Sequence, residues 1–413
     1  MKIRITVSII ALLLTLLLNA QTSKTVTIVA GGLKGSLTAS ELRNVISLTV
    51  YGTIDARDFK TMRDDMKSLK AIDLRTGCDS ICQYTGSGGT AGAKVINYPA
   101  HEVPKNALYN CLYLSSVELP LTVISIGEKS FYDCSVFISC KLPDCLKRIG
   151  NSAFNMCANM TTINFPSSIT EIGDSAFYFC LFIPTASIPN VTKMGKAVFY
   201  QCLRMSSVVL PTHLETLEES TFEKCLALTT VTLPASLKYI AKDVFKSNQA
   251  LTTLTLPQGI VEIKDSVFIN CKSLKTLQVL NPVPVDLSIS KNVFFKNPLT
   301  SVDINKDSCT LIVPAGTLAA YKAAPQWREF THIVEQTPTA INVIPSKDIK
   351  FSIFDNLLTI KGLFGNEQIY IYTVSGSCIT AFIASKETAN CFLPQKGIYL
   401  VRVGQESFKL INR

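Results

Sequence analysis

The sequence predicts a solenoid of short stacked coils, an α/β fold of mostly parallel β with short helical turns, followed by a small all-β sandwich. Three observations carry this reading. From Leu108 onward a large apolar residue recurs at Phe131, Phe154, Phe177, Phe199, Phe222, Phe245 and Phe268, at intervals of 22 or 23 residues. A fixed period of about 20 to 50 residues marks a solenoid, in which each repeat buries its apolar side only against its neighbours. Prolines keep the same beat at Pro120, Pro143, Pro166, Pro189, Pro211, Pro234 and Pro257. Beyond residue 347 the beat stops and alternating apolar and polar runs replace it.

The N-terminus carries Lys2 and Arg4, an apolar run from Ile5 to Leu18, then Asn19-Ala20-Gln21. A short positive region, an apolar stretch and a small residue predict a signal peptide over residues 1–20, cut after Ala20. The run is too short for a membrane-spanning helix, which needs about 20 apolar residues, so export without a transmembrane segment is expected. No cysteine follows the cut to take a lipid anchor. The chain has 413 residues, 47% of them hydrophobic and 17% charged, which is ample material for a large core. Its formal charge is +9, but no basic stripe with interleaved aromatics is present, and nucleic acid is not an expected partner.

Residues 21–104 read as an N-terminal cap with degenerate repeats, since a solenoid needs atypical ends to cover its open core. Thr38 with Glu41 forms a capping-box pair that opens a short helix through Leu42, Val45 and Ile46. Two weak strand patterns, Val45 to Val50 and Leu69 to Leu74, lie 24 residues apart. The glycine-rich stretch Gly86 to Gly92 is followed by Ala93-Lys94-Val95. A phosphate-binding loop requires Gly-Lys-Ser/Thr opening a helix, so a flexible insertion between coils is expected. Cys78 and Cys82 border it, and the sequence leaves open whether they pair or stay free.

Residues 105–335 hold the solenoid and its closing segment. The coil at Phe222 continues through Cys225, Leu228, Val231, Leu233 and Pro234. Leu228 to Leu233 has the L-x-x-L-x-L spacing of a leucine-rich repeat strand. Alternation turns Val231 and Leu233 inward and Thr230 and Thr232 to solvent, and proline, which lacks the N–H, ends the strand. A second short apolar pair follows, as at Ile169 and Ile172, then Gly173, then a segment to Phe177 too short for more than one turn of helix.

Seven of the 14 cysteines share one repeat position: Cys111, Cys134, Cys157, Cys180, Cys202, Cys225 and Cys271. Stacked in register, their Cβ atoms would stand about 4.8 Å apart, beyond the ~3.5–4.5 Å that a disulfide prefers. Asn248 and Asn297 take the same place in their coils. Asn and Cys exchange where the task is to hydrogen-bond buried loop backbone, so a ladder of free thiols is predicted. Zinc is a poor rival, because no C-x-x-C or histidine accompanies the position.

The constellation Ile-Gly-x-x-Ala-Phe-x-x-Cys followed by L-x-x-L-x-L-Pro resembles the BspA-like leucine-rich repeats. Ile172-Gly173-Asp174-Ser175-Ala176-Phe177-Tyr178-Phe179-Cys180 matches it closely, as does Ile149 to Cys157. The resemblance covers residues 105 to about 300. It implies an exported surface protein, of a kind widespread in Bacteroidetes and some protists, that binds other proteins or cells; some members are adhesins for host matrix proteins. From Cys309 to Trp327 the text resembles the closing segment of such proteins, with the only Trp expected to cover the last coil.

Residues 336–346 read as a linker. Residues 347–413 read as a small all-β sandwich, with Ile369 to Tyr372 and Ile398 to Val403 bracketing turns at Ser375-Gly376 and Lys396-Gly397. Leu358 to Gly362, Gly397 to Val403 and Phe408-Lys409 resemble the C-terminal sorting domain of type IX secretion, which implies passage across the outer membrane. A β-sandwich accessory domain is the alternative. Cys378 and Cys391 lie symmetrically about Ala384-Ser385; an antiparallel hairpin turning there would set the two sulfurs nearly opposite, in reach of a disulfide.

Catalysis needs convergent acid, base or nucleophile groups. Only His101, His213 and His332 are available, and each is isolated. His213 near Glu215, Glu218 and Glu219 reads as a solvated loop rather than a cation site. No catalytic motif appears, and no cofactor or metal is expected. The outward strand positions are the candidate binding residues: Ser116, Glu118, Ser139, Lys141, Thr162, Asn164, Thr185, Ser187, Ser207, Thr230, Thr232, Thr253, Thr255, Thr276 and Gln278, with Val209 among them. They predict a rigid, hydroxyl-rich, nearly uncharged face. The expected function is adhesion to, or recognition of, host or microbial surface proteins by a secreted, cell-surface chain. Glycan recognition as an accessory protein and a structural envelope spacer are the alternatives.

Overall fold

The computed structural model describes residues 23–294, 307–336, 349–363, 367–373, 378–384, 387–403 and 406–412. The predicted signal peptide, Asn297, the Ser375-Gly376 turn and all of the expected linker but Gln336 lie outside them. Two compact units divide the chain, Met1–Gln336 and Thr337–Arg413. Among the described residues no helix is long and apolar enough to cross a membrane.

Most coils of the first unit contribute one strand to each of two parallel-β walls and one turn segment; at Thr162 the first wall keeps only an isolated bridge to Ser139. The first wall carries the L-x-x-L-x-L strands: Ser116–Glu118 pairs with Ser139–Lys141, Thr185–Ser187 with Ser207–Val209, and Thr253–Leu256 with Thr276–Val279, all parallel. The second wall is built from two-residue strands such as Ser125–Ile126, Arg148–Ile149 and Glu171–Ile172. The phenylalanines form one internal column. Phe131, Phe154, Phe177, Phe199, Phe222, Phe245, Phe268 and Phe294 are all fully buried. Successive ring centroids lie 4.9 to 5.9 Å apart with planes within 13° of parallel. Such pairs contribute ~0.5–1.5 kcal/mol beyond the area they bury. Trp327, also buried, packs on Phe294 at 4.9 Å and donates its indole N–H to the Val285 carbonyl at 2.9 Å.

Short helices occur at Leu33–Ser36, Ala39–Asn44, Ala56–Asp64 and Leu318–Ala323. Within the coils the predicted helical turn is a run of i→i−3 turns: Tyr132 N–H donates to Lys129 O and Cys134 N–H to Phe131 O, both at 3.3 Å. The residues two before and two after each Phe from Phe131 to Phe268 are left-handed, as at Lys129 (φ 55°) and Asp133 (φ 55°). This alternation aims three amides at the following coil, where Lys129, Phe131 and Asp133 donate to Asn151, Ala153 and Asn155 at 3.0, 2.8 and 2.8 Å. A helix would have bonded those amides within itself. The glycine of the Ile-Gly motif serves the same close approach: a Cβ on Gly150 would stand 2.9 Å from the Glu128 amide nitrogen, and one on Gly173 2.6 Å from that of Asn151.

From Cys134 onward the cysteine column acts as the spacing suggests; Cys111, at its open end, is only half-buried. Cys134, Cys157, Cys180, Cys225 and Cys271 donate their thiols to the carbonyls of Leu108, Phe131, Phe154, Phe199 and Phe245, each at 3.1 Å. Cys202 does so to Phe177 at 3.4 Å, and Asn248 uses its amide on Phe222 at 3.0 Å. Burial pushes these thiols up, to about 12 for Cys225 and Cys271, so they stay neutral donors. Cys78 and Cys82 are free thiols.

N-terminal to the coils, Ser23–Ile28, Ser47–Ile54 and Ala71–Ile81 extend the first wall in parallel register. Thr38 and Glu41 form the capping box, and Glu41 also pairs with Lys24. These bonds hold the Glu41 carboxyl down at about 2. A second box, Asp55 with Asp58, starts the helix Ala56–Asp64. The glycine-rich insertion is held rather than free. Tyr84–Gly86 pairs antiparallel with Ile96–Tyr98, Ala91 N–H donates to the Tyr98 hydroxyl at 2.8 Å, and the Arg63 guanidinium donates to the Thr90 carbonyl at 2.7 Å.

The second unit has two antiparallel sheets, one of Lys350–Phe354, Leu357–Lys361 and Thr388–Phe392, the other of Cys378–Ile383, Gln368–Thr373, Gly397–Val403 and Glu406–Asn412. Its core includes Leu358, Ile360, Ile369, Ile371, Tyr399 and Val401. The expected hairpin about Ala384-Ser385 does not form. Cys378 pairs across from Tyr372 in one sheet, while Cys391 pairs across from Leu358 in the other and is a free thiol. The strands Cys378–Ile383 and Thr388–Phe392 thus belong to different sheets and do not pair with each other.

Candidate binding surface

The strand wall places the candidate residues in two columns. Ser116, Ser139 and Thr162 are in register, as are Thr185, Ser207 and Thr230, and Thr253 with Thr276. One step along, Glu118 stands beside Lys141, Ser187 beside Val209, and Thr255 beside Gln278, to which it donates at 3.4 Å. Between the columns Val117, Cys140, Ile163, Ala186, Val208, Val231, Leu254 and Leu277 point into the core. Period-2 alternation therefore brings every candidate to the outer face; Ser116, Ser139, Ser207, Thr276 and Gln278 are half-buried there and the others exposed. Only Glu118 and Lys141 carry charge, and none of the candidates is aromatic.

The wall is not one unbroken sheet. Its ladder stops between Thr162 and Thr185 and again between Thr230–Val231 and Thr253–Leu256. At the first break, Pro184 stands where the coils on either side use an N–H: Thr161 donates to Ile138 O at 3.1 Å and Ser206 to Pro184 O at 2.9 Å, but Pro184 has nothing to donate to Thr161. At the second, the corresponding bond from Thr252 to Thr229 stretches to 3.4 Å. There the wall opens into a depression of 430 Å³, with Thr230, Thr232, Thr253 and Thr255 around it and Val231, Leu233 and Leu254 among its lining.

The columns also run further than the sequence suggested. Ser23 is in register with Ser47, and Thr25 with Thr49. The strand Ser23–Ile28 is easily missed because it directly follows the predicted signal peptide, although Lys24 to Ile28 alternates clearly. A further surface that strand periodicity does not reach lies on the turn side of the coils. There Tyr109 stacks on Tyr132 at 5.0 Å and Tyr178 on Tyr200 at 4.4 Å.

The family profile described as BspA type Leucine rich repeat region (6 copies) matches residues 101–207 and 192–314, together just over half of the chain. The chain belongs to the BspA-type leucine-rich repeat family. Several solved structures are similar to it. A leucine-rich repeat protein from Bacteroides ovatus aligns at 22% identity, covering 65% of this chain and 69% of its own, with a TM-score of 0.46. A leucine rich cell surface protein from Faecalibacterium prausnitzii aligns at 20% identity over 65% and 88%, with a TM-score of 0.40. A leucine rich repeat protein from T. pallidum aligns at 26% identity over 49% and 77%, with a TM-score of 0.36. No curated protein matches the chain.

Proposed function

We propose that this BspA-type solenoid is an exported, surface-displayed, non-catalytic binding protein that mediates adhesion to, or recognition of, host or microbial proteins. The observation that carries the reading is the pair of in-register columns of hydroxyl and amide side chains on the strand wall, opening into the threonine-lined depression at Thr230 to Thr255. Solenoids use such extended walls as binding surfaces. In this reading residues 1–20 direct export, 21–104 close the N-terminal end, 105–335 bind, 336–346 link, and 347–413 serve as a sorting domain of the type IX kind.

Immobilised host matrix proteins and a glycan array, probed with the wild-type chain and a Thr230→Ala/Thr232→Ala/Thr253→Ala/Thr255→Ala variant, test it. Protein binding that falls at least ~10-fold in the variant, a loss of about 1.4 kcal/mol, supports adhesion through this wall. Its urea midpoint should stay close to wild type, because exposed substitutions usually cost no more than about 0.5 kcal/mol. Unchanged protein binding removes the wall from the reading. Hits on sugars alone would replace it with glycan recognition, and silence on both panels with a structural spacer.

A further inference from the structure

The first coil has no phenylalanine turn before it. Its N-terminal neighbour presents instead the helix Ala56–Asp64 and the segment Met66 to Leu69, and the column starts on Leu108. The two surfaces leave a groove of 220 Å³ whose lining combines Met66, Leu69, Leu108, Leu112, Tyr113 and Leu114 with the more polar Arg63, Lys67, Asn110 and Cys111. That volume is below the ~300–1,000 Å³ of sites that enclose a whole small ligand; it suits one large side chain. The apolar surface continues outward. Leu112 is 45% and Tyr113 64% exposed, and in the next coil Ile138 is 50% exposed. Tyrosine and other large apolar residues around a pocket are what protein interfaces concentrate at their centres, and the threonine wall lacks them.

The charge at the rim is one-sided. Lys67, which lines the groove, and Lys70, which follows the lining residue Leu69, are exposed; the Lys67 ammonium donates to the Arg63 carbonyl at 2.8 Å, and among the described residues neither lysine is within ion-pair distance of a carboxylate. The nearby carboxylates are already engaged: Asp64 by Lys60 at 2.8 Å and Arg63 at 2.7 Å, Asp65 by Lys34 at 3.0 Å. We infer that this groove is a docking site for an acidic peptide segment of a partner protein, one apolar side chain filling the groove and its flanking carboxylates meeting Lys67 and Lys70. The inference rests on the reading of the solenoid as a protein-binding module, and it places an anchor point off the threonine wall.

A random peptide library displayed on phage, selected on the immobilised full chain, tests it. Peptides with Asp or Glu flanking Phe, Tyr, Trp or Leu should be enriched. Their affinity, measured on synthetic copies, should fall at least ~10-fold on Leu112→Asp or Tyr113→Asp. A Lys67→Glu/Lys70→Glu variant, altered only at exposed positions, should reject those peptides and select basic ones. Enriched peptides that bind all these variants as they bind wild type overturn the inference. If they are lost instead on the four-threonine variant, the binding-module reading stands and this site falls. No enrichment at all, in a chain that does bind matrix protein, also removes this site.

Discussion

Replacing Phe177 with alanine tests the central column most directly. Its ring is fully buried and sandwiched between Phe154 at 5.4 Å and Phe199 at 5.7 Å, while Phe165 meets its edge at 5.4 Å and 84°. Truncating a buried phenylalanine to alanine costs about 3–5 kcal/mol. Three aromatic partners, each worth ~0.5–1.5 kcal/mol beyond area, place this site at the upper end, near 5 kcal/mol. Urea unfolding followed by circular dichroism reads the loss. With a slope of about 3 kcal/mol per molar urea, the midpoint should fall by roughly 1.7 M. Because solenoid stability is a sum of coil and nearest-neighbour terms, the transition should also broaden as the coils on either side uncouple. A fall below about 0.3 M, or roughly 1 kcal/mol at that slope, would mean that the ring does not bridge its neighbours, and the stacked-column argument would fail with it.

Other consequences follow from the thiols and the caps. Cys225 and Cys271 are pushed up to about 12 from an ordinary 9.0. Between those values the unfolded chain releases the proton and the native chain keeps it. Stability is therefore full below about pH 9 and declines above it, by up to about 1.4 kcal/mol per pH unit for each thiol. Urea midpoints measured from roughly pH 8 to 10.5 should show this decline, less steeply in Cys225→Ser. For the same reason Cys134, Cys157, Cys180, Cys202, Cys225 and Cys271, all buried, should resist a thiol-specific dye in the native state and react in denaturant; rapid native labelling of any of them contradicts the ladder. Asp55→Ala removes the cap that accepts the Arg57 N–H at 2.8 Å and should cost about 1–2 kcal/mol in the same unfolding assay.

The coil was legible because its physics repeats. A buried ring, a thiol aimed at a carbonyl and a proline at the strand end recur on one beat, so Phe177, Cys180 and Pro189 could be assigned from position alone. Where the structure departs from expectation, a single residue or a non-local choice decides. The turn at each phenylalanine looked helical by length, but inter-coil amide bonds compete with helical ones, and periodicity does not weigh that competition. Pro184 was visible, yet its meaning depends on knowing that the neighbouring coils use an N–H at that position. The spacing of Cys378 and Cys391 suggested a hairpin, whereas the partner strands of each come from elsewhere in the chain. Of the candidate surface, the threonine columns were readable from alternation. The groove beside Leu112 was not, because it arises where two unlike segments meet.

From the Leu108 coil to the Phe245 coil, each hands the same three amide protons, two before, at and two after its column residue, to the coil that follows and, past the first, offers matching carbonyls to the coil before, as Lys129, Phe131 and Asp133 show. Donor and acceptor faces of every internal layer are thus interchangeable, like identical plugs and sockets. Excising or duplicating one whole layer leaves none of these turn groups orphaned, whereas a shift of a few residues misaligns all of them. The length of the wall is therefore adjustable only in whole layers, and gene duplication could lengthen or shorten the reach of the surface without redesigning its interior.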